Sequence, residues 1–182
     1  IQARFQANCL AALMPEKSFN FFIWGRKKNA AATLVEELRG HNLNVDLALD
    51  LNQQISLSDI IITTTPATSA VFGDNLVQPG THVTAIGADI HGKQELPTSL
   101  LESASLLVCD MVSQSLNHGE FRAINDTNLS KKVLELGNIL SNSCVGRTSD
   151  NDITIADLTG IAAQDIAITT GIIDAAALGK KN

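Results

Sequence analysis

The stretch "IGADIHGKQEL", residues 86–96, ends an apolar run at Gly87-Ala88-Asp89 and passes at once into a polar loop. Open α/β sheets place ligands at the carboxyl ends of their strands, so a carboxylate at such an end can face a substrate. Asp89 is therefore a candidate to supply or relay a proton. Aspartate is also a common turn and capping residue, and on these residues alone both readings stand. His91 and Lys93 share the loop, whereas His82 lies inside an apolar run and reads as structural. "HGE", residues 118–120, reads as a capped surface turn. Asp110 and Glu120 could form a carboxylate pair, although no spacing singles them out, and nothing supports a Ser-His-Asp arrangement.

Three further stretches suit a dinucleotide. "TTTPATSAVF", residues 63–72, puts small hydroxylated residues and a proline after a β-branched run, which lets a cofactor lie close to the backbone. At the start of the chain, "IQA" opens a helical pattern. If the residues before Ile1 read G-x-G, Gln2 and Ala3 would complete G-x-G-x-x-A, with Ala3 allowing close helix–strand packing. The acid that holds a ribose 2′-hydroxyl is expected about 20 residues beyond such glycines. That place falls near Trp24 and Gly25, where the sequence reads "WGRKK" and holds no acid. Arg26, with Lys27 or Lys28, could instead pair a 2′-phosphate through charged, bidentate hydrogen bonds. The expected cofactor is accordingly NADP(H), with NAD(H) as the alternative. The competing reading of "WGRKK" is a solvated first helical turn.

The elements that would position these residues follow from periodicity. Ala3, Ala7, Leu10, Ala11 and Met14 share one helical face. Strands are expected over 19–24, 43–49, 59–66, 81–89, 104–110 and 152–160. Helices are expected from "GRKKN" to Gly40, in "PTSLLES", over 112–119 and 129–140, and after residue 160. "QPG" before the 81–89 run is a turn signal. Several strands are continuous apolar runs, the mark of a parallel sheet covered by helices. The expected fold is α/β: a Rossmann-type, doubly wound, mostly parallel sheet with helices on both faces. The expected division is a nucleotide-binding domain over 1–140, lacking its first strand and glycine turn. Residues 141–182 would supply a crossing loop, the last strand and a C-terminal helix that packs partly on an absent N-terminal domain.

Composition narrows the function classes. The chain has 182 residues, 45% hydrophobic and 18% charged, and no tyrosine, so its core is aliphatic. A net charge of −6 argues against nucleic acid, because phosphate neutralisation needs clustered cations. Cys9, Cys109 and Cys144 form no CxxC pair and no metal site is expected; their odd number suits a reducing cytoplasm. No apolar run approaches the roughly 20 residues that span a bilayer.

"TAIGADIHGKQEL", "LLVCDMVSQSLNHGE" and "GRTSDNDITIADLTGIAAQDIA", in that order, resemble the ornithine cyclodeaminase/mu-crystallin family. Family members carry an N-terminal substrate and dimerisation domain followed by a Rossmann domain with NAD(P). The resemblance implies that Asp89 acts in proton transfer near the nicotinamide and the substrate nitrogen. It places cofactor contacts on Gln2, Arg26, Lys27, Thr64, Thr65, Ile86, Gly87, Thr159 and Gly160. It also implies a homodimer through the N-terminal domain and a small amino- or imino-acid substrate. The implied activity is NAD(P)H-dependent reduction of a cyclic imino acid, Δ1-pyrroline-2-carboxylate or Δ1-piperideine-2-carboxylate, to proline or pipecolate. The alternatives are an ornithine cyclodeaminase using bound NAD+ and a non-catalytic, mu-crystallin-like binding protein. "WGRKK" and the similarity of "LLVCDMVSQSLNHGE" to the imine-reductase branch favour the reductase. The residues present would by themselves bind cofactor at most.

Overall fold

A computed structural model describes residues 1–179; the last three residues of the expected 141–182 portion lie outside it. The chain opens with helix α1 (Gln2–Leu13), strand β1 (Phe21–Ile23), helix α2 (Lys28–Gly40) and strand β2 (Val45–Leu47). Helix α3 (Leu51–Leu57) leads to β3 (Ile60–Thr63), and β4 (His82–Ala85) follows. Next come α4 (Thr98–Ser103), β5 (Leu106–Cys109), α5 (Val112–His118), β6 (Leu134–Glu135), α6 (Leu136–Leu140), β7 (Thr154–Asp157) and α7 (Ala162–Gly179). Every strand pair is parallel, and the fold is α/β with helices flanking the sheet in the Rossmann-type, doubly wound manner.

The strands form two groups, β1-β2 and β3-β4-β7-β5-β6. The second buries one face in a core of Ile61, Val83, Ala85, Leu100, Leu101, Leu107 and Ile155, closed by Phe121 and Ile124. A smaller core joins Ala7 of α1 to Val35, Leu38 and Val45. The expected burial on both faces is realised in β5 and β7, whereas β3 and β4 alternate, with Ile61, Thr63, Val83 and Ala85 inside. On the other face His82 bonds Thr154 Oγ1 at 2.7 Å and Thr84 Oγ1 at 3.0 Å, the structural role expected of it.

Between β1 and β3 lies a slot of about 680 Å³, lined by Phe21 and Ile23 on one side, Ile60 and Ile62 on the other, and Ala3 and Leu10 of α1. Among the described residues each bordering strand pairs on one side only, β1 with β2 and β3 with β4. Helix α7 is apolar yet exposed: Ile166, Ile168, Ile172 and Ile173 all stand more than 60% open.

Two expectations need correction. Residues 129–140 are not one helix. A 3-10 turn (Asn128–Lys132) precedes the two-residue strand β6, and only then does α6 begin. The reason is tertiary: Leu134 and Glu135 pair with Val108 and Cys109 of β5, and the Glu135 carboxylate accepts the Val112 N–H that opens α5 at 3.0 Å. Nor is "HGE" a surface turn, because Glu120 is 1% exposed. The "QPG" turn is present: the Thr81 N–H donates to the Gln78 carbonyl at 3.2 Å, and Gly80 takes φ +90°, which a type II turn reserves for glycine.

Glu120 belongs to a buried acid network. Asp157, at the end of β7, accepts the Ser115 hydroxyl, and its second oxygen has no partner. Glu120 accepts the backbone N–H groups of Glu95 at 2.6 Å and Leu96 at 2.9 Å. Burial raises both acids, Asp157 to about 6 and Glu120 to about 7, against the hydrogen bonds that favour their charged forms. Gly119 leaves no space for a side chain, since a Cβ there would overlap the Asp157 carboxylate.

Both acids bind protons more tightly folded than unfolded, so their stabilising contribution is full at low pH and is lost as pH rises through 6 and 7. Urea denaturation should therefore give a stability that falls between pH 5 and 8 by roughly 1–3 kcal/mol. Asp157→Asn, neutral at every pH, should remove Asp157's share of that slope and leave the share of Glu120; an unchanged slope would show that Asp157 is charged throughout. Gly119→Ala should cost about 1–3 kcal/mol by overpacking, read from the same curves.

Candidate functional site

In a parallel sheet the loops after the strands emerge on one rim, and the residues expected to act lie there. Gln2 and Ala3 form the first turn of α1, whose N-terminus carries no side-chain cap. Arg26 and Lys27 follow β1; Lys27 is the N-cap of α2, again without a side-chain cap. Thr64 and Thr65 follow β3, Ile86 and Gly87 follow β4, and Thr159 and Gly160 follow β7.

The structure brings some of these together. A cavity of about 160 Å³ gathers Ala3, Trp24, Thr64 and Thr65. Ile86 joins β3 directly, its N–H donating to the Thr63 carbonyl at 2.9 Å. Thr159 and Gly160 form a separate group held by Asp110: the Thr159 hydroxyl donates to one carboxylate oxygen at 3.0 Å and the Gly160 N–H to the other at 2.6 Å. Gln114 of α5 closes that group by donating to the Gly160 carbonyl at 2.7 Å. Asp110 is thus a loop anchor and makes no pair with Glu120. Arg26, Lys27 and Asp89 stand on the exposed rim, outside the lining of that cavity.

Asp89 lies beyond the end of β4 with its side chain 52% exposed. Lys93 Nζ donates to its Oδ1 at 2.6 Å, which holds the carboxylate over the loop. His91 is exposed and lies outside this contact. The carboxylate is open to an incoming ligand, and proton exchange with such a ligand is the chemistry it can perform.

Gly87 needs its missing side chain for an internal reason. A Cβ there would overlap the Thr65 carbonyl and the Glu95 carboxylate. Glu95, fully buried, accepts the Gly87 N–H at 2.8 Å, the Thr63 hydroxyl at 2.7 Å and the Thr65 N–H. Glu95 and Asp157 are the residues that sequence reasoning missed, and Glu120 was singled out with the wrong partner. The available signal was the acid inside the apolar run "ITIADL", since a charge there must be buried and satisfied.

An NAD(P) group fits this rim. The uncapped N-termini of α1 and α2 offer free N–H groups, which suit phosphate. Among the described residues the ion pairs are Arg4–Glu37, Arg39–Glu36, Arg39–Asp46 and Lys93–Asp89, so Arg26 and Lys27 carry charges that no carboxylate takes up. The same residues contain no cluster suited to a metal ion and no helix long and apolar enough to cross a membrane.

Comparison with known proteins bears on this arrangement. An uncharacterised cyclodeaminase of Sinorhizobium fredii is 35% identical over 174 residues, covering 93% of this chain and 52% of that protein. A Δ1-pyrroline-2-carboxylate reductase of Bacillus cereus is 35% identical over 123 residues, 65% of this chain and 38% of that protein. The solved structure of an archaeal alanine dehydrogenase dimer with bound NAD superposes with a TM-score of 0.85 at 30% identity, over all of this chain and 56% of that one. The chain thus spans about half the length of two of these relatives, the cyclodeaminase and the alanine dehydrogenase. The model of the ornithine cyclodeaminase/mu-crystallin family matches residues 1–180, and with its parallel sheet and its Asp89-bearing rim the chain belongs to that family.

Proposed function

We propose that this chain is the nucleotide-holding part of an NAD(P)H-dependent oxidoreductase that reduces a cyclic imino acid such as Δ1-pyrroline-2-carboxylate. The observation that carries the reading is the exposed Asp89 carboxylate, oriented by Lys93 on the rim where the loops after β3 and β4 meet. When bound, the nicotinamide supplies the hydride. Asp89 delivers or orients the proton at the substrate nitrogen, and Lys93 holds the carboxylate toward it. Arg26, assisted by Lys27, pairs a 2′-phosphate, which supports NADP(H) over NAD(H). Gln2 and Ala3 border the pyrophosphate; Thr64, Thr65, Ile86 and Gly87 border the nicotinamide half; Thr159 and Gly160 contact the cofactor from the loop after β7.

The slot between β1 and β3 supports the expected domain reading, because two facing edges of parallel strands accept one further parallel strand. The exposed isoleucines of α7 likewise suit a covering domain and, through it, a homodimer. Its three free thiols suit a reducing, cytoplasmic setting. The 35% identity to a cyclodeaminase over most of this chain favours a second reading: conversion of ornithine to proline with release of ammonia, using bound NAD+.

Activity is to be measured in a polypeptide of the relatives' length that contains this chain. NADPH consumption with Δ1-pyrroline-2-carboxylate supports the reductase; ammonia release from ornithine without added reductant supports the cyclodeaminase instead. Asp89→Ala should lower kcat by about 10²–10⁴-fold with NADPH affinity nearly unchanged; a retained rate would refute the proton-transfer role. Arg26→Ala should weaken NADPH by about 10-fold or more in a fluorescence titration while sparing NADH. Equal losses for both would refute the 2′-phosphate contact.

A further inference from the structure

The Glu95 side chain touches the ends of both strands carrying the proposed cofactor loops. Its Oε2 accepts from the Thr63 hydroxyl at 2.7 Å and the Gly87 N–H at 2.8 Å, while Oε1 accepts the Thr65 N–H. Thr63 and Thr65 lie at the end of β3, and Gly87 lies just past β4. The backbone continues the tie outward, with the Gln94 N–H on the Ala67 carbonyl at 2.9 Å and the Val71 N–H on the Glu95 carbonyl at 2.8 Å. Inward, the Glu95 N–H is fixed by Glu120 at 2.6 Å. Neither oxygen can be replaced by a donor, because all three groups facing the carboxylate already donate to it.

We propose that Glu95 is a positioning residue: its carboxylate clamps the loop after β3 to the loop after β4, so that Thr65 and Asp89 meet the same bound ligand. The clamp rests on the oxidoreductase reading only for its consequence in turnover. Its geometry is independent of any ligand. Glutamine at this position offers one oxygen and one donor. In one orientation of the amide its NH2 confronts the Thr65 N–H; in the other it confronts the Gly87 N–H. One loop is released either way.

Amide hydrogen exchange by NMR on the 182-residue chain tests the clamp without nucleotide. In Glu95→Gln, exchange at Thr65 or Gly87 should rise by about 10–100-fold, the range expected for losing a hydrogen bond to a charged group. The Ile86 amide, held by the Thr63 carbonyl, serves as the internal control. Unchanged exchange at both amides overturns the clamp. If the glutamine variant does not fold, Glu95→Asp carries the same measurement: one methylene shorter, it should lose protection of one loop and keep the other. Protection of both overturns the clamp.

The positioning role is read from a double-mutant cycle in the enzyme of full length. Glu95→Gln should lower kcat by about 10-fold or more alone and by less than about 3-fold on the Asp89→Asn background, because it acts through Asp89. Additive losses would mark Glu95 as merely structural and overturn the role. An unmutated enzyme with no nicotinamide-dependent turnover overturns the oxidoreductase reading, and the positioning role with it; the exchange result identifies that failure as distinct from failure of the clamp.

Discussion

Three carboxyl groups buried without a cation are the constraint on which this structure depends. Glu95, Glu120 and Asp157 are each at most 1% exposed, and none takes part in an ion pair among the described residues. Burying an unpaired charge is costly unless hydrogen bonds replace water. Here those bonds come from the backbone N–H groups of Thr65, Gly87, Glu95, Leu96 and Phe121 and the hydroxyls of Thr63 and Ser115. The donors belong to different elements, so satisfying the acids brings the ends of β3, β4 and β7 together with α5.

This network explains two glycines that would otherwise read as turn residues or ligand contacts. Gly119 leaves space for the Asp157 carboxylate, and Gly87 leaves space for that of Glu95 and for the Thr65 carbonyl. Asp157 also bears on its β5 neighbour: burial first, then the nearby carboxylates, push the Cys109 thiol up to about 12, so it packs as an inert apolar group. The interior chemistry thus holds the roots of the loops after β3 and β4, and the exposed Asp89 is carried on the second of them.

Much of the architecture was legible in the residues. The strand β3 announced itself by its β-branched run before Pro66, and β4 by the turn at Gly80. Helix α2 was readable from its charged and apolar faces. The strand β6 was not, because two residues carry no period and their pairing with Val108 and Cys109 is decided across the sheet. The rim positions of Asp89, Arg26 and Thr65 followed from strand ends. The acids beneath them did not, since glutamate in "KQEL" or "HGE" has the local look of a surface residue.

The sequence alone determined the α/β alternation, the aliphatic core and the set of polar residues at strand ends, because hydrophobic period and turn chemistry are local properties. The tertiary structure alone decided that β7, late in the chain, lies between β4 and β5, and that Asp157 thereby enters the core. Burial and hydrogen-bond partnership depend on which distant segments meet. An isolated Glu or Asp therefore carries no mark of whether it will face water or hold two loops together.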